Sequence, residues 1–211
     1  MVQEEKLSRR ERDRLRHKEE IFDAALKLFS EKGFHNVSMQ EIASAAEFAT
    51  GTLYNFFSSK EALYEELCES RGERIIGDIS AALDCPGGEV QRLRTLVRMQ
   101  PALLAGHIDF VKVYVSELGT RGAKHAQKKS DRFHDILDEK VAEVVQAGID
   151  RGLFRKVDAV TAAKAFHSLM ETLAFDMADS FDEAAAKEAF QKVEQLLIDG
   201  LLLPEDSRHD Q

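Results

Sequence analysis

The stretch from Lys18 to Leu67 constrains the fold most, because it packs several helix starts and stops into a short span. Ile21, Phe22, Ala25, Leu28 and Phe29 recur with helical spacing and define one apolar face. Gly33 stands where a glycine past the helix end would stop that helix, and Phe34 follows as its hydrophobic partner. Ser38-Met39-Gln40-Glu41 reads as a capping box, in which the Ser38 hydroxyl accepts one orphan N–H and Glu41 reaches back to another. Ile42, Ala43 and Ala46 are the apolar face of this second helix, with Ala43 small enough for a close crossing. The chain then turns at Glu47-Phe48-Ala49. A third helix over about Thr50–Phe56 is expected to bury Phe48, Leu53 and Phe57 and to expose Thr50, Gly51, Thr52, Tyr54 and Asn55. Ser58-Ser59-Lys60-Glu61 looks like a second capping box and opens a long fourth helix.

These residues carry a family resemblance. FSEKGF, SMQEIASAAE and TGTLYNFFSSKEALY are similar to the N-terminal domain of TetR-family transcriptional regulators, over roughly residues 14–74. The resemblance implies a helix-turn-helix whose third helix enters the major groove of double-stranded operator DNA. It points to Ser38, Thr50, Gly51, Thr52, Tyr54, Asn55 and Lys60 as DNA-binding residues. Thr50, Thr52 and Asn55 would meet base edges, while Ser38, Tyr54 and Lys60 would meet phosphates. Two positions depart from the family pattern. Glu47 stands where glycine is usual at the turn, and a left-handed Glu there costs roughly 1–2 kcal/mol. Ala49 stands where a capping Ser or Thr is common, which leaves the recognition helix weakly capped.

Charge distribution fits this polarity. The 211 residues carry a net charge of −9, yet residues 1–60 hold as many basic as acidic side chains. Lys6, Arg9, Arg10, Arg12, Arg14, Arg16 and Lys18 are opposed only by Glu11 and Asp13. An acidic bulk with a basic end orients a molecule as it approaches a polyanion. The run reads either as an arm along phosphates or in the minor groove, or as a solvated helical extension. A hydrophobic content of 44% supports a real core. No stretch reaches the roughly 18 apolar residues of a membrane helix, and the charged N-terminus does not look like a signal peptide. Cys68 and Cys85 are isolated, as expected of reduced thiols in a cytoplasmic protein.

The remainder reads as all-α, with about nine helices in the whole chain. Residues 8–62 are expected to form the DNA-binding domain, and residues 63–211 a helical ligand-binding and dimerisation domain. Cys85-Pro86-Gly87-Gly88 is the strongest break. Helices are expected over about 89–99, from Pro101 to about Leu118, over 131–150, over 159–178 and over 183–203, with a loop at residues 119–123. Residues 159–178 are apolar on more than one side, so that helix is expected to face both its own domain and a second chain. The resemblance implies a four-helix homodimer interface from the last two helices, with Ala162, Leu169, Leu173, Phe190, Val193 and Leu197 as candidates.

Large apolar residues with nearby histidines suggest a ligand pocket in the C-terminal half: His107, Phe110, Tyr114, Phe133, Phe166, His167 and Met170. Seven histidines are present, but none shows HExxH or Glu-x-x-His spacing, and no GxSxG, P-loop or GxGxxG occurs. No metal, cofactor or catalytic set is therefore expected. The reading that follows is a homodimeric transcriptional regulator, a repressor released from its operator by a small, largely apolar effector. An all-α enzyme or carrier using the pocket, and a helical protein-interaction adaptor, are the alternatives.

Overall fold

The computed structural model describes residues 8–117 and 123–203, without the side chains of residues 123–132. Among these, the α-helices are α1 (Arg9–Lys32), α2 (Met39–Ala45), α3 (Thr50–Phe56), α4 (Lys60–Leu83), α5 (Glu89–Glu117), α6 (Ala123–Asp150), α7 (Ala159–Asp176) and α8 (Glu183–Glu194). A 3-10 turn at Phe34–Asn36 joins α1 to α2, and a π-helical turn at Gln195–Asp199 continues α8. The only strand-like feature among the described residues is an isolated antiparallel bridge between Phe154 and Leu202.

The basic N-terminal run is helical. Ser8 caps α1 through a capping box with Glu11, a Ser-x-x-Glu signal that the basic run obscures in the sequence. Lys6 lies outside the described residues. The helix ends at Gly33, whose φ of 81° is readily available only to glycine and whose N–H donates to the Phe29 carbonyl at 2.9 Å. α2 begins with the Ser38–Glu41 box as expected. Lys32 and the Ser38 cap together hold the Glu41 carboxyl down to about 2. The box anticipated at Ser58–Glu61 is absent. Ser59 is the N-cap of α4 instead, its hydroxyl accepting from the Ala62 N–H at 3.1 Å. With the cap one residue later, Ala62 occupies the third helical position and cannot reach back.

Eight α-helices among the described residues replace the expected nine, because Pro101 does not divide the chain. It lies buried inside a continuous α5. Proline removes one hydrogen bond and crowds the preceding turn. Here Leu96, Val97, Pro101 and Leu104 are all buried, and burial on that scale outweighs one missing bond. α5 packs against α1, α4, α6, α7 and α8 and so runs through the middle of the molecule. The expected loop at residues 119–123 lies outside the described residues, except that Ala123 already begins α6.

Two apolar clusters share α4. One joins Ile21, Phe22, Phe29, Ile42, Leu53 and Phe57 to Leu63 and Leu67 of α4, and reaches Phe110 and Val113 of α5. The other gathers Ile79 and Leu83 at the far end of α4 with Leu93, Val145, Phe166 and Phe190. Phe154 anchors the link after α6, where its ring occupies the space a Cβ on Gly148 would need, 2.1 Å away. Backbone bonds from Arg155 N to Leu201 O and from Leu203 N to Leu153 O tie the end of the described chain to the same link.

Candidate nucleic-acid interface and an apolar cavity

The turn between α2 and α3 is built on Glu47 in the left-handed region, at φ 60°. The Phe48 N–H donates to the Ala43 carbonyl at 2.8 Å, which closes the turn. Ala49 is the N-cap of α3 and supplies no side-chain hydrogen bond. The helix is held from behind by Leu53 and Phe57, both fully buried, and by half-buried Phe48 and Phe56. Gly51, Tyr54 and Asn55 face solvent, while Thr50 and Thr52 are half-buried. Arg14 of α1 lies over the Phe56 ring at 5.5 Å, and His17 meets Phe48 edge-on at 5.2 Å. These contacts seat the basic half of α1 beside the recognition helix. No sequence spacing flagged Arg14 or His17 individually, because their partners are more than 30 residues away.

Two of the anticipated phosphate contacts have structural partners. The Ser38 hydroxyl accepts from the Glu41 N–H and donates to Glu41 Oε2 at 2.9 Å. Lys60 is the other. Its ammonium donates to the carbonyls of Phe34 at 2.7 Å and Val37 at 2.8 Å, with His35 O at 3.5 Å. It also sits 4.5 Å from the Phe34 ring centroid. An ammonium has three donors, and three carbonyls surround these. Lys60 is therefore a staple that fastens the start of α4 to the α1–α2 turn, rather than a free cation.

In the other half of the molecule, α4, α5, α6 and α7, with Phe190 of α8, line a cavity of about 220 Å³. Its wall is mostly apolar: Ile75 and Ile79 from α4, Leu104 and Val111 from α5, Leu137 from α6. His107, Phe110, Tyr114, Phe133, His167 and Met170 all line it. Phe166 does not. It points into the core beside the cavity at 2% exposure, which corrects that assignment. Burial lowers the pKa of His107, with Asp78 opposing the shift and Arg71 and Arg74 adding to it. Gly72, Ile75 and Ile79 were not expected here, because α4 reads as a connector until its far face is seen to be cavity wall.

A polar group interrupts this lining. His134 of α6 and His167 and Glu171 of α7 offer ligand atoms that all lie within 4.8 Å of one another. Spacing rules do not find this group because it joins two helices rather than repeating along one.

On an adjoining face α4 carries an ion-pair cluster. Arg71, only 3% exposed, reaches Glu19 at 2.9 Å and Asp23 at 2.6 Å on α1, and Arg74 also pairs with Glu19. Arg71 immediately precedes Gly72 of the cavity wall. α4 thus lines the cavity with one face and is fastened to α1 by the next.

The dimer candidates divide sharply. Phe190 at 2% and Val193 at 5% exposure are buried within this chain's own core, Phe190 also lining the cavity. A second chain cannot reach them, so they are removed from the interface set. Their periodicity was correct but described the face of α8 that packs on α5. Ala162, Leu169, Leu173 and Leu197 are half-buried. Val160 at 52% and Leu196 at 67% exposure are large apolar side chains left open nearby.

An all-helical body with a short, outward-facing helix set behind a tight turn is the architecture of a helix-turn-helix DNA-binding protein. Comparison with known proteins agrees. Residues 21–67 match the family described as bacterial regulatory proteins, tetR family, and residues 86–175 match a Tetracyclin repressor-like C-terminal domain. The chain is 29% identical over 184 residues to the HTH-type transcriptional repressor NicS of Pseudomonas putida, covering 78% of this chain and 84% of that protein. It is 28% identical over 138 residues to the fatty acid metabolism regulator protein of Bacillus subtilis, covering 64% and 71%. Among solved structures, the fatty acid degradation regulator FadR from Bacillus halodurans superposes with a TM-score of 0.73 at 25% identity, covering 87% of this chain and 98% of that one. The chain belongs to the TetR family of DNA-binding transcriptional regulators. Members of this family bind operator DNA and small-molecule effectors and act as dimers. The relatives are regulators rather than enzymes, and no helix among the described residues is long and apolar enough to cross a membrane.

Proposed function

We propose that this protein is a homodimeric repressor that leaves its operator when a small, largely apolar effector fills the cavity. Residues 8–62 act as the DNA-binding domain and residues 63–211 as the sensing and dimerisation domain. Thr50, Thr52 and Asn55 meet base edges; Tyr54 and the exposed arginines of α1 meet phosphates. The half-buried apolar residues of α7 and α8, with Val160 and Leu196, meet the second chain. A dimer so formed offers its two recognition helices to successive major grooves, about 34–36 Å apart.

The observation that carries the reading is the double role of α4. Its Gly72, Ile75 and Ile79 form cavity wall, while Arg71 grips α1. With 24 residues rising about 1.5 Å each, α4 spans roughly 36 Å, so a tilt of about 5° at one end moves the other by about 3 Å. A shift of that size in each subunit changes the spacing of the recognition helices enough to spoil simultaneous docking. An effector that binds one dimer conformation better moves the equilibrium by its differential affinity, and operator DNA must weaken effector binding by the same factor. The apolar lining, and relatives named for fatty-acid regulation, favour an effector carrying an acyl chain.

The test combines two measurements on the full chain. Fatty acids of increasing chain length and their thioesters are screened by thermal shift, and hits are titrated into a complex with DNA flanking the protein's own gene. The expected result is a weakening of DNA affinity by about 5- to 150-fold, the usual range of allosteric coupling. Compounds that stabilise the protein but leave DNA affinity unchanged would make the cavity a carrier site and refute the repressor mechanism.

A further inference from the structure

We propose that His134, His167 and Glu171 form a binding site for one divalent transition-metal ion of the zinc class, set in the wall of the apolar cavity. The three side chains come from facing helices: His134 from α6, and His167 and Glu171 one turn apart on α7. Two imidazoles and a carboxylate form a donor set suited to zinc, cobalt and nickel. The separations fit. A tetrahedral ion with bonds of about 2.0–2.1 Å holds neighbouring ligand atoms roughly 3.3 Å apart. His134 Nε2 and Glu171 Oε1 stand 3.5 Å apart, too long for a good hydrogen bond and close to the spacing a shared ion imposes. The full set lies within 4.8 Å, so modest side-chain rotations bring the third ligand in.

A fourth residue orients the set. Asp138, one turn after His134 on α6, meets His167 Nδ1 at 3.0 Å. Metal-binding histidines commonly donate their second ring N–H to a carboxylate, which sets the tautomer and raises the basicity of the other nitrogen. With Nδ1 donating to Asp138, Nε2 of His167 holds the lone pair. The arrangement is neither sealed nor washed out. The His134 and Glu171 side chains are each 33% exposed, and those of His167 and Asp138 are 19% and 15% exposed. The rings of His134 and His167 meet edge-to-face with centroids 4.3 Å apart, so both already address the same small volume.

Three protein ligands leave a coordination position open, and all three line the cavity. An ion there supplies a positive anchor in an otherwise apolar chamber, matched to a carboxylate or carbonyl oxygen at one end of an apolar molecule. That last role rests on the cavity being the effector site, whereas metal binding does not, so the two ideas fail separately.

The test uses the full chain after chelator treatment and needs neither DNA nor effector. Zinc chloride is titrated by calorimetry, and cobalt chloride by visible absorption. One equivalent per chain is expected. His134→Ala and His167→Ala should each weaken binding at least 100-fold, and Asp138→Asn about 10- to 100-fold with all three ligands retained. His35→Ala, at an exposed imidazole away from the cavity, should leave the isotherm unchanged. Because a substitution between packed helices can disturb folding, a second measurement uses unaltered protein. Sub-stoichiometric cobalt should selectively shift or broaden the imidazole NMR signals of His134 and His167. Unchanged affinity in the His134 and His167 variants, or perturbation confined to other histidines, overturns the site. So does the absence of any binding below millimolar concentration.

Discussion

Replacing Glu47 by glycine isolates the strain at the turn that presents the recognition helix. Glu47 adopts φ 60° and is exposed. A residue with a Cβ pays roughly 1–2 kcal/mol for the left-handed conformation. Glycine removes that cost but returns about 0.5–1 kcal/mol through the greater freedom of its unfolded chain. The net gain expected for Glu47→Gly is centred on about 0.75 kcal/mol, within a span of about 0–1.5. At about 2–4 °C per kcal/mol for a chain of this size, the melting temperature should rise by roughly 1–4 °C. Glycine also removes a negative charge beside the DNA-facing surface, so a second variant is needed. Glu47→Gln loses the charge and keeps the strain. Both variants should bind random DNA slightly more tightly at low salt, and the difference should fade as salt screens it. Only the glycine variant should be more stable. Calorimetric melts of the three proteins, with anisotropy titrations on non-operator DNA, separate the two effects. If the glycine variant melts no higher than the glutamine variant, the turn is not storing strain and the reasoning fails.

Other outcomes follow from the same geometry. Lys60→Met should lower the melting temperature by several degrees, since charge-assisted hydrogen bonds to carbonyls contribute about 1.5–3 kcal/mol when sheltered and less when half-exposed. The salt dependence of DNA binding should stay unchanged, and a flatter slope would restore Lys60 as a phosphate contact. Removing residues 1–13 takes away Arg9, Arg10 and Arg12 with the Ser8 cap, and should reduce the slope of log K against log salt by about 0.9 for every phosphate no longer neutralised. Asn55→Ala or Thr52→Ala should cost about 1–3 kcal/mol on the operator and little on random DNA, whereas Tyr54→Phe should weaken both alike; gel shifts on the two DNAs decide. Leu196→Glu should yield a folded monomer by light scattering and circular dichroism, while Phe190→Glu should unfold the chain, because its side chain lies in the core. A folded Phe190→Glu monomer would return Phe190 to the interface.

The helices of the N-terminal third were legible in the sequence because their determinants are local. A cap acts within one helical turn, so Ser38 and Glu41 can be recognised from spacing alone. Gly33 and Glu47 are read from what their own backbones tolerate. Leu53 and Phe57 follow from the period of a single short helix. The all-helical class follows from the same periodicity. What the sequence did not show depended on partners distant along the chain. Lys60 reads as a free cation until the carbonyls of Phe34 and Val37, more than twenty residues earlier, are seen around it. Pro101 reads as a helix start until α5 is seen packed on five other helices.

The same division explains the sensing half. Periodicity identified apolar faces on α7 and α8, because burial of any kind imposes that pattern. It could not say which partner a face meets, since a hydrophobic side chain gains similar free energy against its own core or a second chain. Tertiary structure assigned Phe190 and Val193 to the chain's own core and left Val160 and Leu196 outside. It also separated Phe166, which packs in the core, from its neighbour His167, which lines the cavity. Adjacent residues on a helix point about 100° apart, and only the placement of surrounding helices decides which direction holds empty space. The His134, His167 and Glu171 group has the same origin. Each residue is ordinary on its own helix, and the group exists only because α6 and α7 pack side by side. Sequence alone thus determined the all-helical class and the short N-terminal helices with their caps, through interactions that span a few residues. Tertiary packing decided the cavity, the free face and the polar cluster, because each is a relation between helices distant along the chain.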